Sequence, residues 1–183
     1  MDDLEFTFKL LEKFFSQKRI QRTLDECWEN DINDWEKWWQ LELAMFINDH
    51  EEIQVWGMEE VFQVDARKNQ GRSKNKQRMA VDLSFRRKGY KKGQFLYLEL
   101  KQNFNTKTCI SNMMKDWDKV MSGRSKSEYG DEIRELFLAG VHPQDLSKKE
   151  VTDLVEKHFE KHDIEGKVKV KAIPNTNFHL TLF

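Results

Sequence analysis

Apolar residues recur along this chain at two different spacings, and the change between them divides it. From residue 3 to 30 the spacing is helical, with Leu4, Phe8, Leu11 and Phe15 on one face, which predicts one or two helices. Asn33 or Asp34 is placed to cap a further helix, Trp35 to Asp49. The pattern then becomes strand-like over Glu60–Ala66, Arg78–Arg86 and Gln94–Gln102. The turn-rich Lys88–Gly93 link predicts an antiparallel meander for these strands.

Helical spacing returns over Thr106–Met121, where Cys109, Ile110, Met113, Met114, Trp117, Val120 and Met121 form a stripe. Ile133–Val141 reads as a fourth strand. Ser147 and Glu150 form a capping box for a helix reaching His162. Lys167–Ile173 and Phe178–Phe183 read as strands of a hairpin around Pro174–Asn177. The order of elements predicts an α/β fold, a central mixed sheet with an antiparallel three-strand meander and helices on its faces. Residues 1–33 form a helical extension packed on a core of 34–183, a single domain overall.

Two strands carry charge where apolar residues are expected. Asp82 interrupts Met79–Phe85, and Glu99 and Lys101 interrupt Phe95–Leu100 and its end. An unpaired charge out of water is costly, so these groups are expected to meet one another. Side chains alternate along a strand, which puts Glu99 and Lys101 on one face of their strand and, on the preceding strand, Asp82 with Ala80 and Ser84 on a face opposite Val81, Leu83 and Phe85. In a meander Asp82 can lie beside Glu99. Two adjacent carboxylates raise each other's pKa, and a divalent cation with a preference for hard oxygen, Mg²⁺ or Mn²⁺, removes that penalty. Lys101 would then stand beside a metal-bound water. Glu42 lies on the aromatic stripe of Trp35, Trp38, Trp39, Met45 and Phe46, and the same metal or Lys101 would partner it.

Asp82, the Glu99-Leu100-Lys101 triplet and the strand–strand–helix frame around them resemble the PD-(D/E)xK nuclease superfamily, which has the restriction-endonuclease-like fold. The resemblance spans roughly residues 34–141. Val81 stands where the family name has proline, and Glu42 resembles the helical glutamate many members place before the sheet. The resemblance implies Asp82, Glu99 and the Leu100 carbonyl as ligands of Mg²⁺ or Mn²⁺, Lys101 as the catalytic lysine, and Glu42 as an outer, water-mediated ligand. It implies hydrolysis of phosphodiester bonds, in DNA ahead of RNA and as an endonuclease ahead of an exonuclease. An RNA endonuclease and a non-catalytic nucleic-acid-binding or protein-interaction module are the alternatives.

Composition sharpens the choice of partner. Net charge is -1 over 183 residues, with 38% apolar and 34% charged positions, a globular balance. Yet between Arg67 and Lys92 eleven basic residues face a single acid, Asp82. Arg67, Lys68, Arg72, Lys74, Lys76 and Arg78, with Arg86, Arg87, Lys88, Lys91 and Lys92, are expected to bind a nucleic-acid backbone. Cutting both strands of a duplex would call for a homodimer. Cys27 and Cys109 are 82 positions apart, which argues against a disulfide scaffold or a Cys-based zinc site. No glycine-rich phosphate loop is present, so no nucleotide cofactor is expected. No run is long enough to span a membrane, and Met1-Asp2-Asp3 does not open a basic, apolar leader; a cytoplasmic protein without a membrane partner is the expectation.

Overall fold

A computed structural model describes residues 1–64, 77–124 and 133–183. Its elements are α1 (Asp3–Phe15), α2 (Lys18–Glu29), α3 (Glu36–Asn48), β1 (Ile53–Val64), β2 (Gln77–Arg87), β3 (Phe95–Gln102), α4 (Thr106–Arg124), β4 (Ile133–Pro143), α5 (Lys148–His162), β5 (Lys169–Ala172) and β6 (Phe178–Leu182). The strands form one mixed sheet in the order β1-β2-β3-β4-β6-β5. β1, β2 and β3 are the expected antiparallel meander. β3 and β4 are parallel, joined by α4, since parallel neighbours need a crossover of this length. The β5–β6 hairpin closes the far edge.

Alternation along β3 divides the core in two. Leu96, Leu98 and Leu100 face α1, α2 and α3, where Leu11, Phe14, Phe15, Ile20, Leu24 and Trp39 are buried. The N-terminal helices are therefore packed on the sheet and supply much of its cover. On the opposite side Cys109, Ile110, Met113 and Met114 of α4 join Val151, Val155 and Phe159 of α5 against Leu138. The side chains of Val120 and Met121 lie outside the described residues. Gly140 on β4 lets α4 approach, because a Cβ there would meet Met113 Sδ at 2.5 Å and Cys109 Sγ at 3.2 Å.

Local signals account for some element ends and not others. Ser147 and Glu150 make the expected reciprocal capping box on α5. The expected cap of α3 is not made. Asp34 has a left-handed backbone (φ 61°), and the helix starts after Trp35 without a side-chain cap. β1 begins seven residues before the Glu60 expected. It is an edge strand whose exposed Val55 and Trp56 break the alternation that marks a half-buried strand.

Candidate active site

The β2–β3 ladder runs Phe85↔Leu96, Ser84↔Tyr97, Leu83↔Leu98 and then stops. The next residue, Asp82, leaves the ladder and replaces it with its side chain: Oδ2 accepts the Leu100 amide at 2.8 Å. Its main-chain carbonyl accepts from Gln40 Nε2 of α3 at 2.9 Å. β1 misses one pair at the same level and then resumes in the same register. Its register runs through Met58↔Leu83 and Glu60↔Val81 but skips Glu59, whose φ is 52°. The sheet thus splits at Asp82, and the split is held by side chains.

Glu99 lies on β3 directly across this split. One of its carboxylate oxygens, Oε2, is buried without a hydrogen-bond partner among the described residues. Burial first, then the Asp82 charge, pushes the Glu99 pKa up to about 8; Asp116 adds to this and Lys101 opposes it. Asp82 is raised as well, chiefly by burial, against the relief given by the Leu100 amide and Lys101. The elevation is one-sided: the Asp82 charge raises Glu99, whereas the acid that raises Asp82 is Glu36.

Lys101 sits among three carboxylates. Its ammonium is 3.0 Å from Asp116 of α4, 3.5 Å from Glu36 of α3 and 3.7 Å from Glu99. Burial works against its charge, yet Glu36, Asp116 and Glu99 outweigh burial and hold its pKa above the ordinary lysine value. Glu36 is itself fixed by accepting the Gln102 amide at 3.1 Å. It stands in the first turn of α3, where a carboxylate is favoured by the helix dipole.

The structure brings Asp82, Glu99 and Lys101 together but not Glu42. That carboxylate pairs with Arg19 at 2.7 Å. Six residues beyond Glu36, it lies about 240° round the helix, on a different face. Glu36, Gln40 and Asp116 were not anticipated. Asp116 had a signal: it lies at helical spacing from Cys109 and Met113, so it puts a charge on the apolar stripe of α4.

A polar cleft of about 570 Å³ opens beside Asp82 and Glu36, lined also by Asn33, Lys37, Gln102 and Phe104. Of the expected backbone-binding groups, Arg67, Lys68, Arg72, Lys74 and Lys76 and the side chain of Arg78 lie outside the described residues. Arg86, Arg87, Lys88, Lys91 and Lys92 sit at the end of the meander where β2 runs into β3. The acids lie toward the other end, where β3 finishes. Arg87 is committed to packing. It lies 3.8 Å over the Phe6 ring, donates to the Tyr90 hydroxyl at 3.1 Å and faces Asp3 at 3.8 Å. Arg86 lies over Phe95 at 5.9 Å.

The donors at the split are of the hard-oxygen kind that suits Mg²⁺ or Mn²⁺, and Glu99 Oε2 is a buried acceptor in want of a partner. In the present arrangement no three acidic, histidine or cysteine side chains among the described residues converge closely enough to hold an ion. Lys101 supplies the positive charge instead. No protein-family profile, no curated protein and no solved structure matches this chain. No described helix is long and apolar enough to cross a membrane.

Proposed function

We propose that this protein is a metal-dependent nuclease of the restriction-endonuclease-like kind that hydrolyses phosphodiester bonds, with DNA as its substrate. The observation that carries this reading is the split at Asp82. It sets two carboxylates of raised pKa side by side, with a lysine next to them and a polar cleft alongside. The meander followed by a helical crossover to a parallel strand supports the fold assignment.

Asp82 and Glu99 would hold the Mg²⁺ or Mn²⁺. In an extended strand the amide and carbonyl of one residue point to the same neighbour, so the Leu100 carbonyl faces β2 as its amide does and completes an oxygen set. Glu36, rather than Glu42, is the helical glutamate near enough to contribute through water. A bound divalent ion supplies Lewis acidity and a water of lowered pKa. Lys101, kept charged by its neighbours, orients that water and offers charge to a phosphate oxygen; it is a poor proton acceptor in this setting. The cleft beside Glu36 and Asp82 admits the strand to be cut. The basic run 67–78 is by its charge the segment suited to hold the backbone.

The test is a substrate panel. Supercoiled plasmid, single-stranded DNA and RNA are incubated with Mg²⁺ or Mn²⁺, with Glu99→Ala and Lys101→Ala as controls. Cutting of DNA by the wild type alone supports the reading. Cutting of RNA alone reassigns the substrate, and nucleic-acid binding with no cutting leaves a binding module. Equal cutting by all three proteins removes the site.

A further inference from the structure

We propose that Asp116 is the positioning residue of Lys101: from α4 it anchors the lysine's ammonium, so that Lys101 keeps its place when the other carboxylates turn to a metal. This rests on the nuclease reading for its consequence, but the anchor itself is a matter of geometry.

The three acids around Lys101 are not equivalent. Glu36 and Glu99, at 3.5 and 3.7 Å, are the two that belong to the cleft and the split. A divalent ion bound there would compete for both and repel the ammonium. Asp116 is nearer, at 3.0 Å, and is buried. Asp116 comes from α4, whereas Glu36 comes from α3, so the lysine is held from two different helices.

Asp116 also ties the lysine to a rigid support. It is three residues from Met113, and Met113 packs on Gly140, the residue of β4 paired with Lys101 in the parallel register. A side chain as long as lysine loses much rotamer freedom when held, and a buried, close carboxylate on a packed helix can hold it. In the nuclease, loss of the anchor lets the ammonium leave the position from which it orients water. A displacement of about 1 Å can cost as much as 100-fold in rate.

Nuclear magnetic resonance of the labelled full chain tests this directly. The Lys101 ammonium resonance is assigned by its loss in Lys101→Met. In the wild type, with Mg²⁺ present, a hydrogen-bond coupling between Lys101 Nζ and the Asp116 carboxyl carbon is expected; its absence overturns the proposal without any variant having to fold. In Asp116→Asn the slowly exchanging ammonium signal should disappear while other lysines keep theirs, and Asp116→Glu should restore it. A signal unchanged in Asp116→Asn also overturns the proposal. On DNA, Asp116→Asn should lower kcat roughly 10- to 100-fold with KM unchanged. If the wild type cuts no DNA, that result counts against the nuclease reading, and the resonance still decides the anchor.

Discussion

The Asp82 carboxylate accepts the main-chain amide of Leu100 at 2.8 Å, one step beyond the last pair of the β2–β3 ladder. A side chain thus closes a gap that a backbone carbonyl would fill in a continuous sheet. The consequence is an opening in the sheet with acids on both sides of it.

Asp82→Ala should be costly beyond its lost charge. It leaves the Leu100 amide without its acceptor inside the sheet, which costs about 1–3 kcal/mol. Asp82→Asn keeps an acceptor oxygen and should recover most of that stability while still removing the proposed metal ligand. Denaturant unfolding of the two variants, paired with a cleavage assay, separates the two roles.

Glu99 predicts a pH dependence with a definite sign. Its folded pKa, about 8, lies above the ordinary value of 4.5, so the folded protein holds a proton that the unfolded chain releases. The contribution of Glu99 to stability should therefore fall as pH rises from about 4.5 to about 8, by an amount on the order of a few kcal/mol, and level off above that; buried His142, lowered to about 4, works in the opposite sense below about 6.5. Glu99→Gln should flatten this slope. Thermal melts between pH 5 and pH 9, in chelator, check it. A difference in melting temperature between wild type and Glu99→Gln that does not change between pH 5 and pH 9 contradicts the buried, proton-holding Glu99.

Glu36 and Glu42 should behave differently. Glu42 pairs with Arg19, whose side chain is 59% exposed. Glu42→Ala should cost under about 1 kcal/mol and leave cleavage unchanged. Glu36→Ala removes a neighbour of Lys101 and the acceptor of the Gln102 amide, and should lower activity. Equal activity of the two variants would remove Glu36 from the site.

Gly140→Ala tests how closely α4 must approach. The added methyl meets Met113 Sδ at 2.5 Å and Cys109 Sγ at 3.2 Å, both side chains in a packed layer. Overpacking of this kind should destabilise by roughly 1–3 kcal/mol. It should also perturb Lys101, which pairs with Gly140 across the sheet, and the Lys101 ammonium resonance would report that.

The meander and the charged pair could be read from the residues because Asp82 and Glu99 are polar where burial demands apolar side chains. The split could not. The spacing of the two acids allows them to be neighbours, but the ladder ends because Asp82 turns its side chain to the Leu100 amide, and its residue type does not announce that. The helical acid was misplaced for a similar reason. Glu42 stands amid aromatic residues and looks anomalous, yet Arg19 of α2, distant in sequence, satisfies it. Glu36 looks like an ordinary first-turn carboxylate until β3 is brought to it. The helix start failed on Asp34, whose left-handed backbone removes it as a cap. The basic run looks uniform in sequence, but folding separates Arg87, half-buried against Phe6 and Asp3, from the strand ends near the acids.

The account turns on Asp82 and Glu99 forming one divalent-metal site across the split. Calorimetric titration of Mn²⁺ into the full chain at pH 8 tests this most directly. Binding with proton release by the wild type, lost in Asp82→Asn and in Glu99→Gln while both variants remain folded, is the predicted result. No binding by the wild type, or equal binding by all three proteins, would contradict it.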